Sequence, residues 1–442
     1  MAIGHATVDF YQGAVPTLVP FLVAERHYGY VAASGIVLAA TLLSSIVQPL
    51  FGALTDRWTM PWLIPASSLG AGLGIALSGP GDSYLLTWLA VALSGIGVAA
   101  YHPESARLAR TASRGSHVAM GWYSLGGNIG FALAPVAVAP VLSTGGLGAS
   151  PWLVAPAVAG VVLTASVIRS LARGGGGRPA PPAGGGRGRR GGGFGGGGGI
   201  VVGVVWVGAG GGGVWWRKEC SGPRPGGGGA ARPPPRGAGR DDWPVFLRLS
   251  AIIVCRSIVF VGLSAFIALY AQERVPGGSA TGSAALFTLF AGGAVGTVLG
   301  GPLAARWGRV RTLRIAYGAA VPAVAGLVFV PGPALYAFAA LTAAALYVPF
   351  SLHVTLGQDY LPNRIGTASG VTLGLAVSVG GVASPGIGAL ADAAGLRTAL
   401  APLIALCALA WLVAGTLTEP ETEREPGPAP GTRAGAGTPG TR

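Results

Sequence analysis

Twelve apolar stretches, each about the 20 residues a helix needs to cross a bilayer, run through this chain in two sets of six. The first set lies near 3–24, 31–54, 61–79, 84–104, 118–142 and 151–171, the second near 246–270, 282–305, 312–330, 334–357, 367–391 and 396–417. The runs are continuous rather than alternating, which predicts helices, because in lipid each backbone group must find its partner within its own segment. The two sets are copies. Gly52-Ala53-Leu54-Thr55-Asp56-Arg57-Trp58 returns as Gly301-Pro302-Leu303-Ala304-Ala305-Arg306-Trp307, and Gly121 returns as Gly370, both at an offset of 249 residues. Duplicated halves are a mark of secondary transporters, which hold substrate between the halves near the bilayer midplane. The expected fold is an all-α integral membrane protein: twelve transmembrane helices in two six-helix pseudo-symmetric halves.

Composition excludes the other broad classes. With 51% apolar residues, 10% charged and a mean hydropathy of +0.59, lipid must be the main solvent of this chain. The +14 net charge resembles a nucleic-acid footprint until it is located: eleven basic residues and one acid, Glu219, fall between Arg173 and Arg240. That segment is rich in Gly and Pro and cannot bury enough apolar surface to fold. It predicts a disordered cytoplasmic linker over 172–245, between halves at 1–171 and 246–418, with a polar tail at 419–442. Its aromatics are too sparse for a single-strand platform, so no nucleic-acid partner is expected. Cys220, Cys255 and Cys407 lie far apart, which argues against a disulfide framework or zinc site. No GxxxxGK[ST] phosphate loop, nucleophile elbow or metal-ligand constellation occurs, so neither an enzyme, a cofactor nor ATP drive is expected.

Arginine bias sets the expected orientation. The 2–3, 4–5, 8–9 and 10–11 loops carry Arg57, Arg107, Arg110, Arg114, Arg306, Arg309, Arg311, Arg314 and Arg364, against Arg26, Arg274 and Arg397 on the other side. The positive-inside rule makes the first group cytoplasmic, with both termini there. The chain enters its first span at once, which predicts further apolar residues upstream of Met1.

Polar residues within the spans are the candidates for function. His5, Asp9 and Gln12 fall at i, i+4 and i+7, one face of the first span, and an ionisable residue in a span faces the bundle interior or a wet cavity. Asp9 suits a proton carrier; a plain His5–Asp9 pair is the alternative. Arg256 lies about ten residues into the seventh run, too deep to snorkel, and so requires a partner: an anionic ligand, for which guanidinium is the preferred fork, or a first-half acid such as Asp9. His102 and Glu104 bracket Pro103, expected to interrupt the fourth span, and either form a proton relay or leave Glu104 to pair with Arg107. Tyr123, Asn128, His353 and Gln358 add polar groups suited to interhelical hydrogen bonds. In the duplicated element Gly52 permits close helix contact, and Asp56 and Arg57 offer charges that break as the halves rock. Its second copy, with Arg306 and Arg309, has Ala305 in place of the acid.

The Gly52…Asp56-Arg57 element resembles the signature between spans two and three of the major facilitator superfamily. Gly4-His5-Ala6-Thr7-Val8-Asp9-Phe10-Tyr11-Gln12-Gly13, Tyr101-His102-Pro103-Glu104, Gly126-Gly127-Asn128-Ile129-Gly130, Arg256-Ser257 to Gly262-Leu263 with Tyr270, and Pro362-Asn363-Arg364-Ile365-Gly366 with Ala368-Ser369-Gly370 are similar to its fosmidomycin-resistance branch. The resemblance implies an inner-membrane drug exporter that exchanges protons for a small, often anionic, substrate. A proton-independent or importing facilitator and an inactive membrane scaffold are the alternatives.

Overall fold

The computed structural model describes residues 1–112, 117–174 and 240–420, apart from the side chains of a few helical positions. The linker and most of the tail, with Arg114, lie outside the described residues, and so do the side chains of Asp56, Arg57 and Arg110. The helices are α1 (Ala2–Arg26), α2 (Tyr30–Arg57), α3 (Leu63–Leu77), α4 (Tyr84–Ala112), α5 (His117–Gly145), α6 (Ala155–Gly174), α7 (Trp243–Arg274), α8 (Ser279–Trp307), α9 (Arg309–Phe329), α10 (Ala334–Tyr347), α11 (Phe350–Tyr360), α12 (Ile365–Ala394), α13 (Leu396–Leu400) and α14 (Pro402–Gly415). A 3-10 turn, Leu147–Val154, leads into α6. These helices make the twelve expected spans, because α10 with α11 and α13 with α14 are each one crossing interrupted by proline.

Proline acts differently from place to place. Pro349 separates α10 from α11 and Pro402 opens α14, as a residue without an N–H at a helix start should. Pro103, by contrast, lies inside an unbroken α4. The expected interruption there does not occur, since neighbouring helices in a bundle can satisfy the backbone group that proline frees. Nine of the described helical stretches are long and apolar enough to cross a membrane. The first span is not among them; His5, Asp9 and Gln12 make its opening turns polar.

Glycine sets the spacing around the first span. A Cβ on Gly130 would collide with the Ala6 carbonyl, and one on Gly127 with the Asp9 carboxylate and the His5 ring. Helices α1 and α5 therefore touch along Gly126-Gly127…Gly130, the small-residue contact that membrane helices use to approach closely.

Between the halves, α2 packs on α12 and α5 on α8. Three hydrogen bonds cross from one half to the other at the amino end of α2. Asp392 accepts from the backbone N–H groups of Tyr30 (2.7 Å) and Val31 (2.9 Å), while the Tyr30 hydroxyl donates to Glu273 (3.4 Å). The carboxylate caps two of the unpaired donors of a helix that belongs to the other half. This end of the molecule lies opposite the arginine-bearing loops.

Candidate functional site: a cavity between the halves

A cavity of about 220 Å³ lies between the halves, lined by spans 1, 2, 4 and 5 and by spans 7, 8, 10 and 11. Among the described residues, spans 3, 6, 9 and 12 contribute no lining residue. The inner eight are thus the same four positions taken twice, as duplication requires.

The first-half wall carries ionisable groups. One Asp9 carboxylate oxygen is 3.3 Å from His5 Nε2 and the other is 3.1 Å from His102 Nε2. Both rings are buried and held from behind: His5 Nδ1 donates to the Tyr123 carbonyl (2.8 Å) and His102 Nδ1 to the Val98 carbonyl (2.7 Å). Because carbonyl oxygens only accept, each Nδ1 must carry the proton, and each Nε2 is turned toward the carboxylate. The Tyr123 ring stacks on His5 at 4.3 Å, and its hydroxyl lies 2.6 Å from Ser105 Oγ. Gln12 and Asn128 extend the same wall into the cavity.

The second-half wall carries a guanidinium. Arg256 is 2% exposed. Its Nε donates to the Leu346 carbonyl at 2.8 Å, and its carbon lies 4.7 Å from the Tyr347 ring centre and 4.6 Å from that of Phe350. Local structure explains this seat. The break at Pro349 leaves the last carbonyls of α10 without helical donors, and a cation satisfies such an end by hydrogen bond and dipole together. Aromatic faces then cover the guanidinium at cation–π distance. No carboxylate among the described residues lies within ion-pair distance of it, so the Asp9–Arg256 pairing does not form here.

The other candidates separate. Glu104 leaves His102 and forms a two-point pair with Arg107, one bond being 2.9 Å from Nε. Its carboxylate is fully buried behind the cavity. His353 meets the Tyr317 hydroxyl at 3.2 Å and does not reach the cavity lining. Gln358 donates to Ser369 (2.8 Å), the interhelical bond expected of it. Tyr123 supports His5 rather than lining the cavity.

In the second copy of the duplicated element, Arg306 is exposed, while Arg309 pairs with Asp359 (2.5 Å) and Glu419 (3.1 Å). With Ala305 in place of an acid, the acid partners of Arg309 come from residues 50 and 110 positions beyond it. Glu419 also accepts from the Val310 N–H (2.8 Å), capping α9. Asp359 and Asp392 are isolated acids beside loops and Glu419 opens a run of tail glutamates; only distant arginines or helix ends give them a role.

A family model described as Major Facilitator Superfamily matches residues 1–385. The chain belongs to that superfamily. It is 25% identical over 425 residues to the fosmidomycin resistance protein of Escherichia coli (strain K12), covering 95% of this chain and 90% of that one. It is 27% identical over 426 residues to the uncharacterized MFS-type transporter YfnC of Bacillus subtilis (strain 168), covering 93% and 91%. Among solved structures, a bacterial homologue of the human lysosomal transporter Spinster, inward-facing and occupied, superposes with a TM-score of 0.65 at 16% identity, covering 94% of this chain and 95% of the other. The transporter FucP in its outward conformation superposes with a TM-score of 0.51 at 14% identity, covering 94% and 98%. This chain is a multi-pass membrane transporter of the secondary type, and the cavity lies where such folds bind substrate.

Proposed function

We propose that this transporter exports a small anionic solute by alternating access in exchange for protons, with its termini and arginine-bearing loops in the cytoplasm. The observation that carries the reading is Arg256: a buried guanidinium in the cavity wall, with no carboxylate among the described residues to neutralise it. Its Nε is held by the Leu346 carbonyl and Tyr347 engages it as well, so the remaining terminal N–H groups are what is left to meet a ligand. That edge suits a carboxylate or phosphonate bound through two oxygens. Across the cavity the His5–Asp9–His102 group supplies side chains that exchange protons, and the name of the Escherichia coli relative fits extrusion of a drug.

Energised everted vesicles test this directly. Uptake of fosmidomycin or another small phosphonate should release protons from the lumen, cease on addition of an uncoupler, and fall at least about tenfold in Arg256→Lys, which keeps the charge and loses the fork. Uptake indifferent to the uncoupler would make the protein a proton-independent facilitator. Anion uptake at the parental rate in folded Arg256→Lys would remove the guanidinium from substrate recognition.

A further inference from the structure

We propose that His5, Asp9 and His102 form a binding site for one divalent transition-metal ion, with Zn²⁺ as the best fit, opening onto the transport cavity. The three side chains each offer one ligand atom, all within 4.8 Å of one another, and all three residues are buried. The carboxylate stands between the two imidazoles, Oδ2 3.3 Å from His5 Nε2 and Oδ1 3.1 Å from His102 Nε2, each close to the edge of about 3.3 Å that a tetrahedron with metal–ligand bonds of about 2.0–2.1 Å requires, so an ion can take either oxygen.

The hydrogen-bond directions carry the argument further. With both Nδ1 atoms committed to backbone carbonyls, each neutral ring turns an Nε2 lone pair toward an oxygen that also only accepts. One of those oxygens, Asp9 Oδ1, is buried and faces His102 Nε2 at 3.1 Å. Three such acceptors in a buried place call for a cation among them: a proton on an Nε2, or a metal ion that takes its place. A backbone carbonyl behind each imidazole is also how metal-ligating histidines are held in tautomer and orientation.

The donor set narrows the ion. Two imidazoles and one carboxylate suit Zn²⁺, Co²⁺ or Ni²⁺ and not Mg²⁺ or Ca²⁺, which take oxygen shells. Three protein ligands leave a coordination position open, as in exchangeable rather than structural zinc sites. All three residues line the cavity, so water or an anionic oxygen completes the shell from that side. The inference rests on the proposed function only for the cavity's being a transport route; binding of the ion needs neither substrate nor gradient.

Calorimetric titration of the purified full-length protein in detergent with ZnCl₂ alone tests it. One Zn²⁺ per chain should bind, Co²⁺ should bind in its place with the visible bands of a tetrahedral centre, and affinity should fall at least about tenfold in His102→Gln and in Asp9→Asn. His27→Gln, on an exposed residue, should leave binding unchanged. His102→Cys, which restores a ligand, should bind Zn²⁺ again and so separate ligand loss from misfolding. No saturable binding, or equal affinity in the parent and His102→Gln, would overturn the site. Zn²⁺ binding in a protein that moves no anion would keep this inference and sink the transport reading; proton-coupled export without Zn²⁺ binding would do the reverse.

Discussion

The two walls of the cavity stand on equivalent stretches of a duplicated chain and carry opposite chemistry. At the 249-residue offset, His102 faces the position of Ser351, Asn128 that of Val377, and Val98, whose carbonyl holds His102, that of Tyr347, which covers Arg256. One wall gathers a carboxylate between two imidazoles; the other isolates a guanidinium among aromatic rings. Duplication supplies a symmetric frame in which two surfaces face each other across one site, about which such halves rock. Only the departures from symmetry can make the two surfaces bind different things.

The largest expected effect separates the first wall from the charges behind it. Glu104→Gln removes the buried carboxylate from its two-point pair with Arg107 and should cost about 3 kcal/mol of stability, read as a lowered Tm in detergent. Combining it with Arg107→Ala should recover much of that loss. If the double variant is instead no more stable than Glu104→Gln and transport is abolished in each, Glu104 belongs to the exchanging wall and the comparison has been drawn in the wrong place.

Next comes the guanidinium. Arg256→Ala should lower anion flux about 100-fold, equivalent to about 2.7 kcal/mol for a buried charge-assisted fork, while Zn²⁺ affinity at the opposite wall stays within about twofold. Loss of both together would show that the walls act as one unit. A third variant probes spacing. Gly127→Ala drives a methyl into Asp9 and His5 and should cost about 1–3 kcal/mol, with loss of flux, whereas its counterpart at the offset is already an alanine, Ala376. Ala376→Gly should therefore be tolerated in the same vesicle assay; an equal loss would mean that both walls need the same close packing.

The smallest effect concerns the end where the halves meet. Asp392→Ala removes the cap on the amino end of α2 and should cost about 1 kcal/mol, a shift of about fivefold in the balance between the two access states. Spin labels placed across that end should report the longer distance more often, while the cavity walls keep their affinities. No change in the distance distribution would make the cap incidental to access.

Much of this architecture is legible in the chain before folding. The twelve runs, the offset and the helical spacing of His5, Asp9 and Gln12 are local or periodic properties, and the helices found keep their order and differ from the apolar runs by four residues or fewer at their ends, except α4, which continues eight residues past 104. Arg256 was visible as a depth anomaly. The partnership of His102 with Asp9 was not, because 93 residues separate them and the nearer acid, Glu104, competes on proximity alone. The acids Asp359, Asp392 and Glu419 were equally silent, since each gains its partner only when distant helix ends are brought together. His353 shows the converse: a polar residue in a span that turns to Tyr317 and away from the cavity.

Sequence alone determined that the chain lives in lipid, crosses it with helices, and is built twice, because apolar length and repetition are written along a single dimension. It also placed one acid and one deep arginine in opposite halves. Tertiary structure decided what those charges meet: two imidazoles locked by backbone carbonyls around Asp9, and a broken helix end with aromatic faces around Arg256. Such partners are set by which helix surfaces glycine allows to touch and by where a proline frees a carbonyl, and those are properties of contact between segments that no single segment carries.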